Sequence, residues 1–190
     1  NALTHGSLFN IMKRDFGCRK FDDINGEYGQ SGFRGSYAYV GYKNGDRLGE
    51  RYAPQYLGST ELELKIPAKT TSPTDIKLHV RSEGCNDPNK SGGCGYASVH
   101  VNGQNKSPSS RGHNIVVVDP RTGNVVKTAG FDTYADDGAD ERMLAFLNGI
   151  ADGDLTIIST QDEYTNAFTN SAAMNVLRRD FGAGMGDFPI

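Results

Sequence analysis

The chain has 190 residues, 36% of them hydrophobic, and a formal net charge of −3. This length is enough for one domain with a sizeable core, and the composition is that of a folded protein. The apolar runs fall short of the roughly 18 residues that a transmembrane helix needs, and the charge does not suit a general nucleic-acid binder, which relies on a basic patch. We therefore expect neither membrane insertion nor a nucleic-acid partner.

Apolar spacing predicts helices near both ends of the chain and short strands between them. The helical period covers residues 2–16 and residues 165–181. The predicted strands, in chain order, are residues 37–42, 61–66, 76–80, 96–101, 114–118, 125–131 and 155–159. Another amphipathic helix is predicted at residues 140–149, and residues 46–60 look like a linker. These elements predict an α/β (α+β) fold in which a mixed sheet sandwich is flanked by helices.

Three turns with glycine separate neighbouring predicted strands. Asn102-Gly103 is a strong hairpin signal. Residues 43–45 and 120–123 have the same character, because each combines glycine with other turn-forming residues.

The two ends of the chain match each other at a fixed offset of 165 residues. Residues 1–17 and 166–182 align without a gap, and eight of the seventeen positions are identical. A repeat at a fixed period is typical of an array. The simplest hypothesis is a tandem protein cut inside its repeating unit, and the alternative is a circularly permuted domain with a duplicated helix. Both predict that residues 1–50 complete the fold begun by residues 60–165, within one chain or between neighbours.

The repeat divides the chain into four predicted segments. Residues 1–50 supply the closing helix and strand of a unit, residues 51–60 are a linker, and residues 61–165 are the main body. Residues 166–190 start the closing segment of the next repeat. Because the chain begins at Asn1 rather than at methionine, we expect a processed or excised piece.

Two of the three cysteines, Cys85 and Cys94, lie nine positions apart in a polar run rich in glycine. Such a run is too flexible to hold a shape without a crosslink, so we predict a local disulfide and an oxidising compartment, with two reduced thiols as the alternative. Cys18 is left over, and it is either buried and free or linked to another chain. Glycosylation sequons at Asn89 and Asn105 agree with secretion.

Seven short motifs follow one another in order from residue 60 onward. They are residues 96–103, 111–118, 122–123, 131–133, 146–150, 152–153 and 160–163. This order resembles the interleukin-like EMT inducer (ILEI) family, in which a helix follows the Asp-Glu motif and a Gly-X-Arg-X-X-aromatic strand closes the domain. Here the closing motif lies near the N-terminus, at residues 32–41, in agreement with the 165-residue offset.

The resemblance implies a secreted domain and a carbohydrate site. The sugar contacts of the family's glycan-binding stem domain resemble Arg34, Arg111 and Asp162, and we add Glu163 and the aromatic Tyr37 to the predicted site. A guanidinium donates several hydrogen bonds in a fixed fork, and a carboxylate accepts paired bonds from sugar hydroxyls. An aromatic ring packs on the apolar face of a sugar. The alternative is that the three charged residues form a structural ion-pair cluster.

Catalytic and metal-binding patterns are not recognised in the sequence. The histidines lack zinc spacing, and His113, a lone histidine on a strand, is more typical of a packed or surface residue than of a ligand. The acidic residues between 132 and 141 lack the order of a calcium loop. Asp162 and Glu163, which are adjacent on one loop, are poorly placed to act across a glycosidic bond. We therefore expect no enzymatic activity, cofactor or metal.

These observations predict an extracellular lectin-like module whose partners are glycans. One alternative is a structural repeat of an extracellular fibre, matrix or adhesive assembly, whose partners are neighbouring repeats of the same protein in a homopolymer. A second alternative is a cytokine-like ligand of a protein receptor. In an array, weak sugar sites would gain strength through effective concentration.

Overall fold

The computed structural model describes residues 35–53, 58–67, 75–164 and 172–183. Within these ranges the elements are β1 (Ser36–Tyr42), β2 (Arg47–Ala53), β3 (Thr60–Ile66), β4 (Ile76–Ser82), β5 (Ser98–Val101), β6 (Gln104–Asn105), β7 (Gly112–Val118), β8 (Val125–Phe131), α1 (Ala139–Asn148), β9 (Leu155–Gln161) and α2 (Ala172–Phe181). Neither described helix has the length and apolar composition to cross a bilayer.

The strands form two sheets that pack against each other as a sandwich. The five-stranded sheet has the order β2-β1-β9-β7-β8, and the four-stranded sheet has the order β3-β4-β5-β6. Every strand pair in the described ranges is antiparallel. The sandwich with helices agrees with the prediction, whereas the α/β label is too loose and the expected mixed sheet is wrong. Hairpins join most neighbouring strands, so the architecture is α+β.

The three central strands of the five-stranded sheet, β1, β9 and β7, are buried on both faces because the sheet is the middle of three layers. On one face, side chains from β1, β7 and β9 pack against the four-stranded sheet. On the other face, side chains from the same three strands pack against α1 and α2. The continuous apolar run Ile115–Val118 follows from this position, since a strand covered on both sides has no reason to alternate.

The linker predicted at residues 46–60 is partly wrong, because Arg47–Ala53 forms β2. This strand pairs with β1 at the edge of the five-stranded sheet, from Ser36 opposite Ala53 to Gly41 opposite Arg47. Its residues are exposed or half-buried. An edge strand with this polar composition lacks the apolar alternation by which strands are recognised in a sequence.

The predicted hairpin at Asn102-Gly103 is confirmed. It joins β5 to β6, and both residues have positive φ angles, 51° for Asn102 and 82° for Gly103. Positive φ at both central positions is the geometry of a type I′ turn, which asparagine and glycine adopt at low cost.

A buried lysine closes the C-terminal end of α1. Lys43, in the turn after β1, donates hydrogen bonds to the carbonyl oxygens of Leu147 at 3.1 Å, Asn148 at 3.2 Å and Ile150 at 2.7 Å. The last carbonyls of a helix have no partner within the helix and carry partial negative charge. The ammonium of Lys43 therefore donates hydrogen bonds to these carbonyls and offsets their negative charge, and it connects the turn after β1 to α1.

The end of α2 is held by the same part of β1. The Tyr39 hydroxyl donates to the carbonyl oxygen of Phe181, and the backbone N–H of Asn44 donates to that of Asp180 at 2.5 Å. The Tyr39 ring passes directly over Gly41, where an added Cβ would overlap the hydroxyl. Glycine at position 41 is thus what allows the tyrosine to reach the helix.

We expect Lys43→Met to lower the free energy of unfolding by about 1–3 kcal/mol, because it removes the ammonium that donates hydrogen bonds to three carbonyl groups at this helix end. Lys127→Met is the matched control, since Lys127 also donates to a carbonyl at this helix end, that of Gly149, but is exposed. Its expected cost is below about 0.5 kcal/mol. Urea unfolding of both variants measures the difference, and equal losses would show that Lys43 does not stabilise the helix end.

Candidate functional site

The antiparallel register brings the predicted Arg111 and Asp162 to the same end of the five-stranded sheet. Arg111 comes immediately before β7 and Asp162 immediately after β9, and these strands pair so that Gly112 lies opposite Gln161. The end of β8 is also here, because His113 pairs with Phe131. The residues that flank these three strand ends form the candidate site.

The guanidinium of Arg111 is held in a bidentate ion pair. Its Nε lies 2.9 Å from Oδ1 of Asp132, and its Nη2 lies 2.6 Å from Oδ2. The guanidinium carbon lies 4.9 Å from the centre of the Tyr134 ring, in a cation–π contact. The two charged side chains are 38% and 33% exposed. Arg111 is therefore fixed in orientation while part of it stays open to solvent.

The charges of the site stabilise one another. The hydrogen bond to Asp132 raises the pKa of Arg111, and the nearby carboxylate of Asp162 adds to this increase. The hydrogen bond from Arg111 in turn lowers the pKa of Asp132, which also accepts the backbone N–H groups of Tyr134 and Ala135. Arg111 and Asp132 are thus a charged pair at neutral pH, with the side chain of Asp162 nearby.

Asp132 and Tyr134 were not among the predicted site residues. Asp132 belongs to an acidic stretch that agrees with a helix N-terminus, and its pairing with Arg111 depends on the register of β7 and β8. The sequence motif at residues 131–133 could have pointed to Asp132, because it lies at the end of β8, and β8 pairs with β7, the strand that follows Arg111.

The predicted disulfide between Cys85 and Cys94 is confirmed. Both sulfur atoms lie within 4.8 Å of a carboxylate oxygen of Asp162, so the crosslinked loop borders the site. Two cysteines and an aspartate at this spacing would suggest a metal centre if the thiols were free. Because the sulfurs are bonded to each other, no thiolate is left to bind a metal.

Glu83 attaches the disulfide loop to the end of β9. Its buried carboxylate accepts hydrogen bonds from Arg81 Nε at 2.6 Å, from the Ser91 hydroxyl at 2.7 Å and from the Ser91 backbone N–H at 2.8 Å. Its carbonyl oxygen accepts the N–H of Asp162 at 3.0 Å. Burial acts to raise the pKa of Glu83, but the bonds from Ser91 and Arg81 outweigh it and lower the pKa. Asp162, whose φ is 61°, is thereby fixed in its turn.

The other predicted contacts are placed differently. Tyr37 is 1% exposed, and its hydroxyl donates to Glu50 at 2.7 Å. Its ring belongs to the core under the helices, so the prediction that it packs on a sugar is corrected. Glu163 is 2% exposed, and its carboxylate is likewise not presented at the surface. Arg34 lies outside the described residues.

His113 is a fully buried histidine beneath the site. Its Nδ1 lies 2.8 Å from the hydroxyl of Thr133, and that hydroxyl donates to the carbonyl oxygen of Tyr164 at 2.7 Å. Since the single hydroxyl proton goes to Tyr164, Nδ1 of His113 carries a proton and donates. Burial lowers the pKa of His113 to about 3, so the imidazole is neutral. Of the two alternatives for His113, a packed or a surface residue, the structure shows the packed one.

We expect His113 to make the protein less stable in acid. Its pKa is about 3 in the folded state and about 6.5 in an unfolded chain, so the unfolded state binds more protons between these values. Stability should then fall as the pH drops below about 6.5, by up to about 1.4 kcal/mol per pH unit. Urea unfolding at pH 7 and pH 5 measures the slope, which should be shallower in His113→Gln. Identical slopes in both proteins would contradict the assignment.

Residues 111–187 match the family model of the interleukin-like EMT inducer, which confirms the resemblance over that part of the chain. The cell migration-inducing and hyaluronan-binding protein of Homo sapiens is 34% identical over 58 residues. That alignment covers 30% of this chain and 4% of the human protein, so the chain spans only a small part of this relative. No solved structure matches the chain.

Proposed function

We propose that this chain, which carries an ILEI domain at residues 111–187, is an extracellular module that binds carbohydrate at the Arg111 site. The main support for this proposal is the guanidinium of Arg111. It is partly exposed, and Asp132 and Tyr134 hold it near the carboxylate of Asp162. We also propose that the site binds without catalysing a reaction.

The geometry of Arg111 supports ligand binding because the side chain is already ordered. Its bonds to Asp132 use Nε and Nη2, so the Nη1 edge of the fork faces away from that carboxylate. A side chain fixed in this way loses little rotamer freedom when a ligand binds. Asp162 supplies an acceptor for sugar hydroxyls next to this donor, and charged groups make the stronger hydrogen bonds.

Two further observations support a glycan outside the cell. The disulfide between Cys85 and Cys94 is a bond that persists in oxidising compartments. The human relative is named as a hyaluronan-binding protein, and hyaluronan is an anionic polysaccharide that an exposed guanidinium can contact. An oligosaccharide of this type is therefore the first ligand to test.

We expect the wild-type chain to bind one or more sugars on a glycan array that includes hyaluronan oligosaccharides. The double variant Arg111→Ala, Asp162→Ala should lose at least about tenfold in affinity, since two charge-assisted contacts disappear. Arg121→Ala is the matched control, because Arg121 forms a similar pair with Asp119 in the exposed turn between β7 and β8.

The control variant should bind as the wild type does, and circular dichroism should show that all three proteins are folded. Absence of binding by the wild type would contradict the proposal. Equal loss in the control would show that binding is not specific to this site. In either case, the pair between Arg111 and Asp132 would be explained as a link between β7 and β8.

The second candidate function is a structural repeat in an extracellular assembly. Residues 7–16 correspond to α2 at the 165-residue offset and are apolar at each buried α2 position, namely residues 8, 9, 11, 12 and 16. In this structure α2 contacts β1 through Phe181. A second chain could therefore offer residues 7–16 to the same surface, and such an exchange would join copies into a homopolymer.

We expect light scattering to separate the two candidates. A structural repeat should give masses at multiples of 20.6 kDa that rise with concentration, and Phe16→Asp should return the protein to the monomer. A monomer at every concentration would contradict the assembly. Phe181→Asp is the matched comparison, because Phe181 is buried and its replacement should instead unfold α2 from the domain.

A further inference from the structure

We propose that the outer face of the four-stranded sheet holds a site for a divalent transition metal, zinc or copper(II), formed by Glu63, His79 and His100. This site lies on a different sheet from Arg111 and is independent of the carbohydrate proposal. It was not predicted from the sequence, where the two histidines lack a recognised zinc spacing.

The three side chains form one row across three adjacent strands. Glu63 on β3 lies opposite His79 on β4, and His79 lies opposite His100 on β5. All three line the same open groove, which has a volume of about 630 Å³. Residues directly opposite each other in antiparallel strands have neighbouring side chains, so the register places two imidazoles and a carboxylate side by side on one face. Their ligand atoms do not all lie within 4.8 Å of one another, so metal binding requires the three side chains to rotate toward a common point.

The spacing of the two imidazole rings is close to that of a metal-bound pair. The ring centres of His79 and His100 lie 5.6 Å apart, with the planes 36° from parallel. Zinc binds a histidine nitrogen at about 2.0–2.1 Å, so two imidazoles on one tetrahedral zinc have ring centres about 5 Å apart. The ring spacing is therefore compatible with the binding of both imidazoles to one zinc ion after the side chains rotate.

The environment of each histidine also suits a ligand. His79 contacts Glu61 through Nε2, and a carboxylate on one ring nitrogen commonly orients a metal-binding histidine. Nδ1 of His100 is buried and has no hydrogen-bond partner among the described residues. A buried polar atom without a partner is costly, so rotation of the ring toward the groove, where this nitrogen could bind a metal, would remove that cost.

Charges around the row set its ligand preference. Glu61 and Glu63 contribute two carboxylates, and Glu63 forms no ion pair within the described ranges. The ammonium of Lys65 is paired with the carboxylate of Asp75, with Nζ 2.7 Å from Oδ2. Lys77 also lines the groove and opposes a cation. Imidazole with carboxylate is a ligand set for zinc or copper(II) rather than for calcium or magnesium, which prefer oxygen alone.

Isothermal titration of the intact chain with zinc chloride, and separately with copper(II) chloride, tests the site. We expect saturation at one equivalent, and His79→Gln and His100→Gln should each weaken binding at least about tenfold. Glu61→Gln should weaken it less, as Glu61 orients a ligand rather than binding the metal. Copper(II) paramagnetic resonance should show nitrogen coupling that each histidine variant reduces.

Glu141→Gln is the matched control, because Glu141 is an exposed carboxylate on α1 and does not line the groove, so its replacement should not affect the titration. Lys77→Gln should bind at least as tightly as the wild type, since it removes an opposing charge. Thermal unfolding without metal checks that every variant is folded. Lack of saturable binding would overturn the proposal, and so would binding that survives both histidine substitutions or is lost in Glu141→Gln.

Discussion

The cation of Lys43 is buried against the C-terminal carbonyls of α1, and the relation between the sheet and the helices depends on that contact. A buried ammonium is stable only where polar groups replace its water. Lys43 directly follows β1, so β1 must lie where its turn reaches this helix end. The hydrogen bond from the Tyr39 hydroxyl to the carbonyl oxygen of Phe181 likewise requires β1 to lie beside the end of α2. The position of β1 is therefore fixed by contacts with the C-terminal ends of both helices.

The candidate carbohydrate site depends on the order of the strands in the five-stranded sheet. β1 and β7 flank β9 in the five-stranded sheet, so the turn after β9 is placed beside the residue that precedes β7. Glu83 and the disulfide then hold that turn from the side of the four-stranded sheet. Asp162 is fixed by backbone contacts, whereas Arg111 is fixed by side chains. Asp162 and Arg111 thus lie on the same surface but are held there by different kinds of contact.

The sequence was most informative where burial is simplest. The apolar strands β7 and β9, the hairpin at Asn102-Gly103 and the disulfide were all predicted from local patterns. β2 was missed because an exposed edge strand has no apolar alternation. Tyr37 was assigned to a surface because a motif does not show that helices cover that face of the sheet. Asp132 and the row at His79 depend on cross-strand register, which residue spacing does not contain.

The position of β1 has a consequence for how the protein is made. The backbone N–H of Tyr37 donates to the hydroxyl of Thr160, 123 positions later in the chain. At roughly 5–20 residues per second, a ribosome needs on the order of ten seconds to add that stretch. Throughout this interval a strand whose seven residues are all buried in the finished domain remains without its neighbour β9. Protection of this one segment by chaperones during synthesis would therefore influence the yield of folded protein.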